Sequence, residues 1–166
     1  MHIRAERPDD VEAIEQVTIR AFQNAPHTDH TEQFIVRELR AANSLAVSLV
    51  AELNGQIVGH IAASPVTISD GRPHWFGLGP ISVAPEFQGQ GIGCELMNAA
   101  MSALKELSAQ GCVLLGDPNY YRRFGFNPVP GLVLPDIPAE YFQAMHISGL
   151  LPQGEVKYHE AFNAKA

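Results

Sequence analysis

The sequence predicts a mixed α/β fold in which an antiparallel meander gains one parallel strand and is flanked by helices. Three observations carry that prediction. Residues 45–83 are rich in Val, Ile, Leu and Thr and are punctuated by Asn54-Gly55 and Asp70-Gly71, dipeptides that close tight hairpins. The β-branched run ending at Val83 then passes through Pro85 and the loop Gly89-Gln90-Gly91-Ile92-Gly93 into an apolar-periodic helix. A short buried segment, 112–115, follows that helix, and the right-handed crossover rule lays it parallel to the strand at 78–83.

The remaining elements follow in order. Residues 2–7 alternate as a short strand, and Pro8-Asp9-Asp10 opens a helix whose inner face is Val11, Ile14, Val17, Ile19 and Phe22, closed by Asn24-Ala25-Pro26. Thr28 or Asp29 caps a second helix through about residue 42, with Phe34, Ile35, Leu39 and Ala42 inward. Strands at 45–53, 56–69 and 74–83 make the meander, and the helix after the glycines runs to Gln110. Asp117-Pro118 opens a short helix holding Tyr120, Tyr121 and Phe124, closed by Gly125. Residues 126–134 read as a strand broken by Pro128 and Pro130, 139–147 as a helical turn, and 154–162 as a final strand. No linker or repeat divides the chain, so 1–166 is expected to be one domain.

Composition narrows the function classes. At 166 residues, with 46% hydrophobic and 17% charged residues, the chain has the balance of a globular domain that buries roughly 70% of its unfolded surface. No apolar run approaches the ~18 residues of a membrane span, and the N-terminus lacks a signal-peptide core, so the expected compartment is the cytoplasm with no membrane partner. A net charge of −7 with no basic run longer than Arg122-Arg123 excludes a nucleic-acid duplex and suits a cationic substrate. The seven histidines never fall at zinc spacing, so no metal is expected. Cys94 and Cys112 lie about 27 Å apart along a continuous helix, too far for a disulfide. Cys94, near a helix N-terminus, reads either as a low-pKa thiol or as a small core residue.

The glycine loop is the chemical signal. Glycines at 89, 91 and 93 let the backbone N–H groups turn inward, and the following helix adds the positive end of its dipole, an arrangement suited to a pyrophosphate. A P-loop would need Lys-Ser/Thr after the last glycine, where Cys94 and Glu95 stand. A dinucleotide fingerprint would need Gly-x-Gly-x-x-Gly after the first strand of a doubly wound unit, whereas this loop is Gly-x-Gly-x-Gly after a meander; Asp117 lies at ribose-binding distance, yet no second unit follows.

A third reading comes from resemblance. Val83-x-Pro85-x-Phe87-Gln88-Gly89-x-Gly91-Ile92-Gly93 resembles the acetyl-coenzyme A signature of the GNAT superfamily of N-acetyltransferases. Tyr121-Arg122-Arg123-Phe124-Gly125-Phe126 is similar to that superfamily's Tyr-x-x-x-Gly-Phe segment. The likeness extends from about residue 2 to 135, and the segment ending at Tyr158 would supply the last strand. It implies a GNAT-like acyl-CoA N-acyltransferase fold: a central, mostly antiparallel sheet with one parallel pair at the cofactor cleft, flanked by helices.

The resemblance also implies a site. The strand carrying Ile81, Ser82 and Val83 would splay from its parallel neighbour, Val83 pairing with the pantetheine amides of acetyl-CoA and the Ile81 N–H lying near the acetyl oxygen. Amides from Gln88 through Gly89, Gln90, Gly91, Ile92, Gly93 and Cys94 would hold the pyrophosphate. Where many members carry an Asn and an Ala, this chain has Leu114-Leu115-Gly116-Asp117-Pro118, and Asn119 is the substitute amide; Phe124 belongs to the same motif. Tyr121 stands where the family's hydroxyl protonates the departing sulfur, with Tyr120 read as core or substrate wall. Amine acetylation also needs a deprotonated nucleophile. Glu32, His60, His74 and Asp117 are the candidates, His60 first because an imidazole titrates near neutrality. The expected function is acetyl-CoA-dependent N-acetylation of an unidentified amine by a monomer or homodimer. A non-catalytic acyl-CoA sensor is the alternative, and a dinucleotide oxidoreductase stands third.

Overall fold

The computed structural model describes residues 1–26 and 28–166; His27, one of the histidines weighed above as ligands, lies outside the described residues. The chain forms β1 (His2–Ala5), α1 (Val11–Phe22), α2 (Glu32–Ala41), β2 (Val47–Leu53), β3 (Gln56–Pro65), β4 (Thr67–Ile68), β5 (Trp75–Val83), α3 (Ile92–Glu106), β6 (Gly111–Leu115), α4 (Pro118–Tyr121), β7 (Leu132–Val133), β8 (Phe142–His146) and β9 (Gly154–Lys157). One sheet has the order β1-β2-β3-β5-β6-β8, antiparallel except for β5–β6; a smaller sheet has the order β4-β9-β7. The mixed, mostly antiparallel architecture with one parallel pair is therefore present in the main sheet.

Alternation along the strands divides the core between two faces. Val47, Ala51, Ile61 and Ala63 face α3, where they meet Leu96, Met97, Ala100 and Leu104, all within 1% of complete burial. Val50 faces the other way, onto Ile14 of α1 and Val36 of α2. At roughly 1.5–3 kcal/mol for each large side chain buried, the α3 stripe outweighs the strain of the loop before it. The Asn54-Gly55 hairpin is as expected, with φ of 51° and 78°, the positive pair of a type I′ turn.

Several boundaries differ, each for a physical reason. The helix expected to be capped by Thr28 or Asp29 starts after Thr31, because Thr28 Oγ1 is engaged locally, accepting from the His30 amide and donating to Glu32. Its buried face is Ile35, Val36 and Leu39, with Phe34 half-buried and Ala42 exposed. The 56–69 strand breaks after Pro65, which has no N–H for a ladder, and β4 joins β9 in the second sheet. α3 stops at Glu106 rather than Gln110: Ser108 takes φ 60°, and the Ala109 and Ser108 amides return to the Leu104 and Lys105 carbonyls, a Schellman cap built on serine instead of glycine. Both cysteines are free.

The last third departs most. Of the strand expected at 126–134, only β7 and an isolated Asn127–Ala144 bridge form, as Pro128 and Pro130 forecast for a broken strand. The 139–147 turn is helical only over Ala139–Tyr141 and then becomes β8, the edge strand beside β6. The final strand ends at Lys157, and Glu160–Asn163 is a 3-10 turn. The last strand of the main sheet is thus β8, not β9.

One difference shapes the site. β5 and β6 pair in parallel only at Trp75, Phe76 and Gly77, not along 78–83. Beyond Gly77, β5 carries an extra residue relative to β3, because Ala63 faces Leu78 while Ile61 faces Ile81, and Pro80 removes a backbone donor there. The two strands part, leaving a split in the sheet along 78–83.

Candidate active site

The glycine loop opens one side of that split. A cavity of about 490 Å³ is lined by Ile81 and Val83 of β5, by Gln88, Gly89, Gly91, Ile92, Gly93 and Cys94, and by Phe87, Tyr120, Tyr121 and Arg123. Gly89 and Gly91 have φ of 77° and 86°, and a Cβ built on either meets nothing within 4 Å, so their backbone borders open space. The amides of Ile92, Gly93 and Cys94, first in α3, have no carbonyl one turn earlier. Arg123 carries the only positive side chain among the described residues lining this cavity, with its guanidinium 4.6 Å from the Tyr120 ring centre. Amides, a helix N-terminus and a guanidinium suit a diphosphate. The Gln88 N–H, expected to open the amide series, donates to the Pro85 carbonyl at 3.4 Å. The Gln88 side chain donates to the Val83 carbonyl at 3.0 Å.

A second cavity, about 450 Å³, enters the split from the other side. Phe22 of α1, Glu32 and Ile35 of α2, Ile61, residues 78–81, Met97, Leu114, Leu115, Tyr158 and Phe162 line it together with Tyr121. Ile81 and Tyr121 line both cavities. They mark where the two meet.

Tyr121 comes to that junction because Asp117 caps α4, accepting the Asn119 amide at 2.9 Å, and because Gly116 leaves room for its ring. Burial, seconded by the Asp117 charge, raises its phenol above the ordinary tyrosine range. Tyr120 stands edge-on to it, ring centres 4.9 Å apart, with its hydroxyl 3.7 Å from Cys94 Sγ. Burial, and then the Cys94 contact, push the Tyr120 phenol up to about 12.

Other candidates lie elsewhere. His60 is fully buried on the face of β3 opposite α3 and lines neither cavity. Its Nε2 is 2.9 Å from Ser48 Oγ, Ser48 donates to Glu6, and Arg40 holds Glu6 at 2.8 and 3.0 Å. Since Ser48 spends its proton on the carboxylate, the His60 Nε2 is the protonated nitrogen, and Nδ1 is buried without a partner among the described residues. Burial lowers the imidazole to about 4. Burial raises Glu6, but the Arg40 and Ser48 hydrogen bonds outweigh it and leave its carboxyl below the ordinary value.

His74 is exposed at the paired end of β5, and Asp117 is occupied as a cap. Ser82 faces the same way as His60, across from it in the ladder. Gln90 is turned back to the Glu86 carbonyl. Asn119 is exposed, and Phe124 packs into the core beside Tyr120 without lining the glycine-loop cavity. Phe87 and Arg123, quoted in the motifs without a role, also line the glycine-loop cavity, as does Tyr120, which was read as core or substrate wall; the three-residue spacing of Tyr120 and Arg123 on one helical face was the available signal for Arg123. Of the four base candidates only Glu32 lines the junctional cavities. Among the described residues no cluster of three or more His, Cys, Asp or Glu could hold a metal, and no helix is long and apolar enough to cross a membrane.

Residues 44–128 match the family described as acetyltransferase (GNAT) domain. The uncharacterized N-acetyltransferase YhbS of Escherichia coli K12 is 35% identical over 127 residues, 76% of this chain and 73% of that protein. A GNAT family acetyltransferase from Brucella melitensis, solved in complex with acetyl-CoA, is 48% identical, with a TM-score of 0.86 over 97% of each chain. The E. coli YhbS structure in complex with CoA has a TM-score of 0.88 at 31% identity, over 99% of this chain and 93% of that one.

Proposed function

The chain belongs to the GNAT family of acetyltransferases, and from that membership we propose that it transfers an acetyl group from acetyl-CoA to a primary amine of a small molecule or protein, by direct attack in a ternary complex. What supports this reading is that the glycine-loop cavity and the acceptor-side cavity share Ile81 and Tyr121. A donor seated on one side of the sheet and an acceptor entering from the other would meet there and nowhere else in the two cavities.

The roles follow from the chemistry each position offers. The amides of Gly89 through Cys94 and the Arg123 guanidinium would hold the diphosphate, and the backbone of 81–83, beyond the β5–β6 ladder, would take the pantetheine arm as an added strand. Acetyl-CoA supplies an activated acyl group as its thioester. The Ile81 N–H would face the carbonyl oxygen as charge develops on it. Tyr121 would give its proton to the departing sulfur, and its raised phenol keeps that proton in place beyond the usual tyrosine range. His60, neutral and enclosed in its hydrogen-bonded chain, is assigned a structural part.

Thiol release from acetyl-CoA with a panel of amines, beside calorimetry with CoA, tests this. Tyr121→Phe should retain CoA affinity and lose about 100-fold in kcat. Saturable CoA binding without thiol release for any amine would make the chain a binding module instead.

A further inference from the structure

On the acetyltransferase reading, we propose that the acceptor is a monoamine carried on an extended apolar body. Its ammonium would sit at Glu32, and its body would run past Tyr158 and Phe162 toward Leu134 and Ile137. Glu32 carries the only carboxylate among the described residues lining the acceptor-side cavity. One of its oxygens accepts from Thr28 Oγ1 at 2.6 Å; the other, Oε1, is out of contact with water and has no hydrogen-bond partner among the described residues. A carboxylate so placed is relieved when its side chain turns into the cavity to meet a cation that brings its own N–H donors. The wall around it is Phe22, Ile35, Pro80, Leu115, Tyr158 and Phe162, so a single charge is offered inside an otherwise apolar chamber.

The chamber does not end there. Leu115, Tyr158 and Phe162 also line an adjoining cavity of about 790 Å³ that continues over Leu134, Pro135 and Ile137. Leu115 is 46% exposed and Ile137 37%, apolar surface that an acceptor's hydrocarbon would cover. The ionisable groups along this second stretch are Glu155, Lys157, Tyr158 and His159, with no surplus of negative charge. A polyamine or a lysine-rich peptide would find Glu32, and farther on only Glu155 with Lys157 beside it to offset its charge. The charge pattern selects one ammonium followed by hydrocarbon.

Calorimetric titration of n-alkylamines from butylamine to octylamine, into the free protein and into protein saturated with CoA, tests the class without requiring turnover. Affinity should rise about two- to fourfold per methylene, and octan-1-ol should bind at least tenfold more weakly than octylamine. Glu32→Gln should abolish that amine–alcohol difference while CoA affinity holds. Spermidine or a lysine peptide binding more tightly than octylamine, affinity independent of chain length, or equal binding of octylamine and octanol would overturn it. Acetylation of polar amines without alkylamine binding would defeat the substrate class alone. Alkylamine binding in the stated pattern with no thiol release for any amine would support the class and defeat the transferase reading.

Discussion

The Tyr121 ring lies where a side chain on Gly116 would be, and the backbone there has little freedom to yield. The Gly116 amide donates to the Tyr141 carbonyl, and its carbonyl accepts from Gln143 Nε2, both at 3.0 Å. Gly116→Ala must therefore displace the ring. We expect kcat to fall ten- to 100-fold while CoA affinity, which the proposed function assigns to the glycine loop, changes little; steady-state kinetics with parallel calorimetry checks this. His60 gives a prediction of another kind. Its folded value of about 4 lies below the ordinary 6.5, so between those values the unfolded chain binds the proton and the folded one does not. Its contribution is whole above pH 6.5 and is lost as pH falls toward 4, on the order of 3 kcal/mol in all. Urea unfolding at pH 8, 6 and 5 should show the decline beginning well above the carboxylate range, whereas a flat profile over that interval would refute it. At this scale the sequence marked Tyr121 by motif register. It could not show that His60 is walled off, because burial behind Ser48, Glu6 and Arg40 arises from β2, from the segment after β1 and from α2.

Among the elements, the turn into α3 is the one to which the proposed function gives CoA binding. Gly91 is held at φ 86° with open space beside it, so Gly91→Ala pays only in backbone strain, about 1–2 kcal/mol. Gly71, at φ 83° and equally open, is the control far from the loop. Both variants should lower Tm by a few degrees, but only Gly91→Ala should weaken CoA binding, by tenfold or more; equal affinities would remove the loop from the site. Elements with local punctuation were legible in advance: the Asn54-Gly55 hairpin, the glycine loop and its helix, and the Asp117-Pro118 start of α4. β8 was not, since Phe142–His146 has no turn signal of its own and buries a glutamine, Gln143, that only the Gly116 carbonyl explains. The small sheet was hidden too, because β4 and β7 are two residues each and exist through their pairing with β9.

For the whole molecule, the proposed function rests on a sheet held together at one end and parted at the other. Parallel pairing at Trp75, Phe76 and Gly77, with Trp75 almost fully buried, fixes the closed end; the bulge and Pro80 open the rest, so cavities on opposite faces meet at Ile81 and Tyr121. The family resemblance carried by the sequence motifs implied that split, while its exact reach depended on where the β5 pairing of β6 ends, at Val113, although β8 pairs along the whole of β6. Amide hydrogen exchange with and without CoA measures the central claim most directly. The account predicts slowed exchange concentrated in peptides spanning 78–97 and 118–126, with the strands far from the split unchanged; protection absent there, or centred elsewhere while CoA is bound, would contradict it.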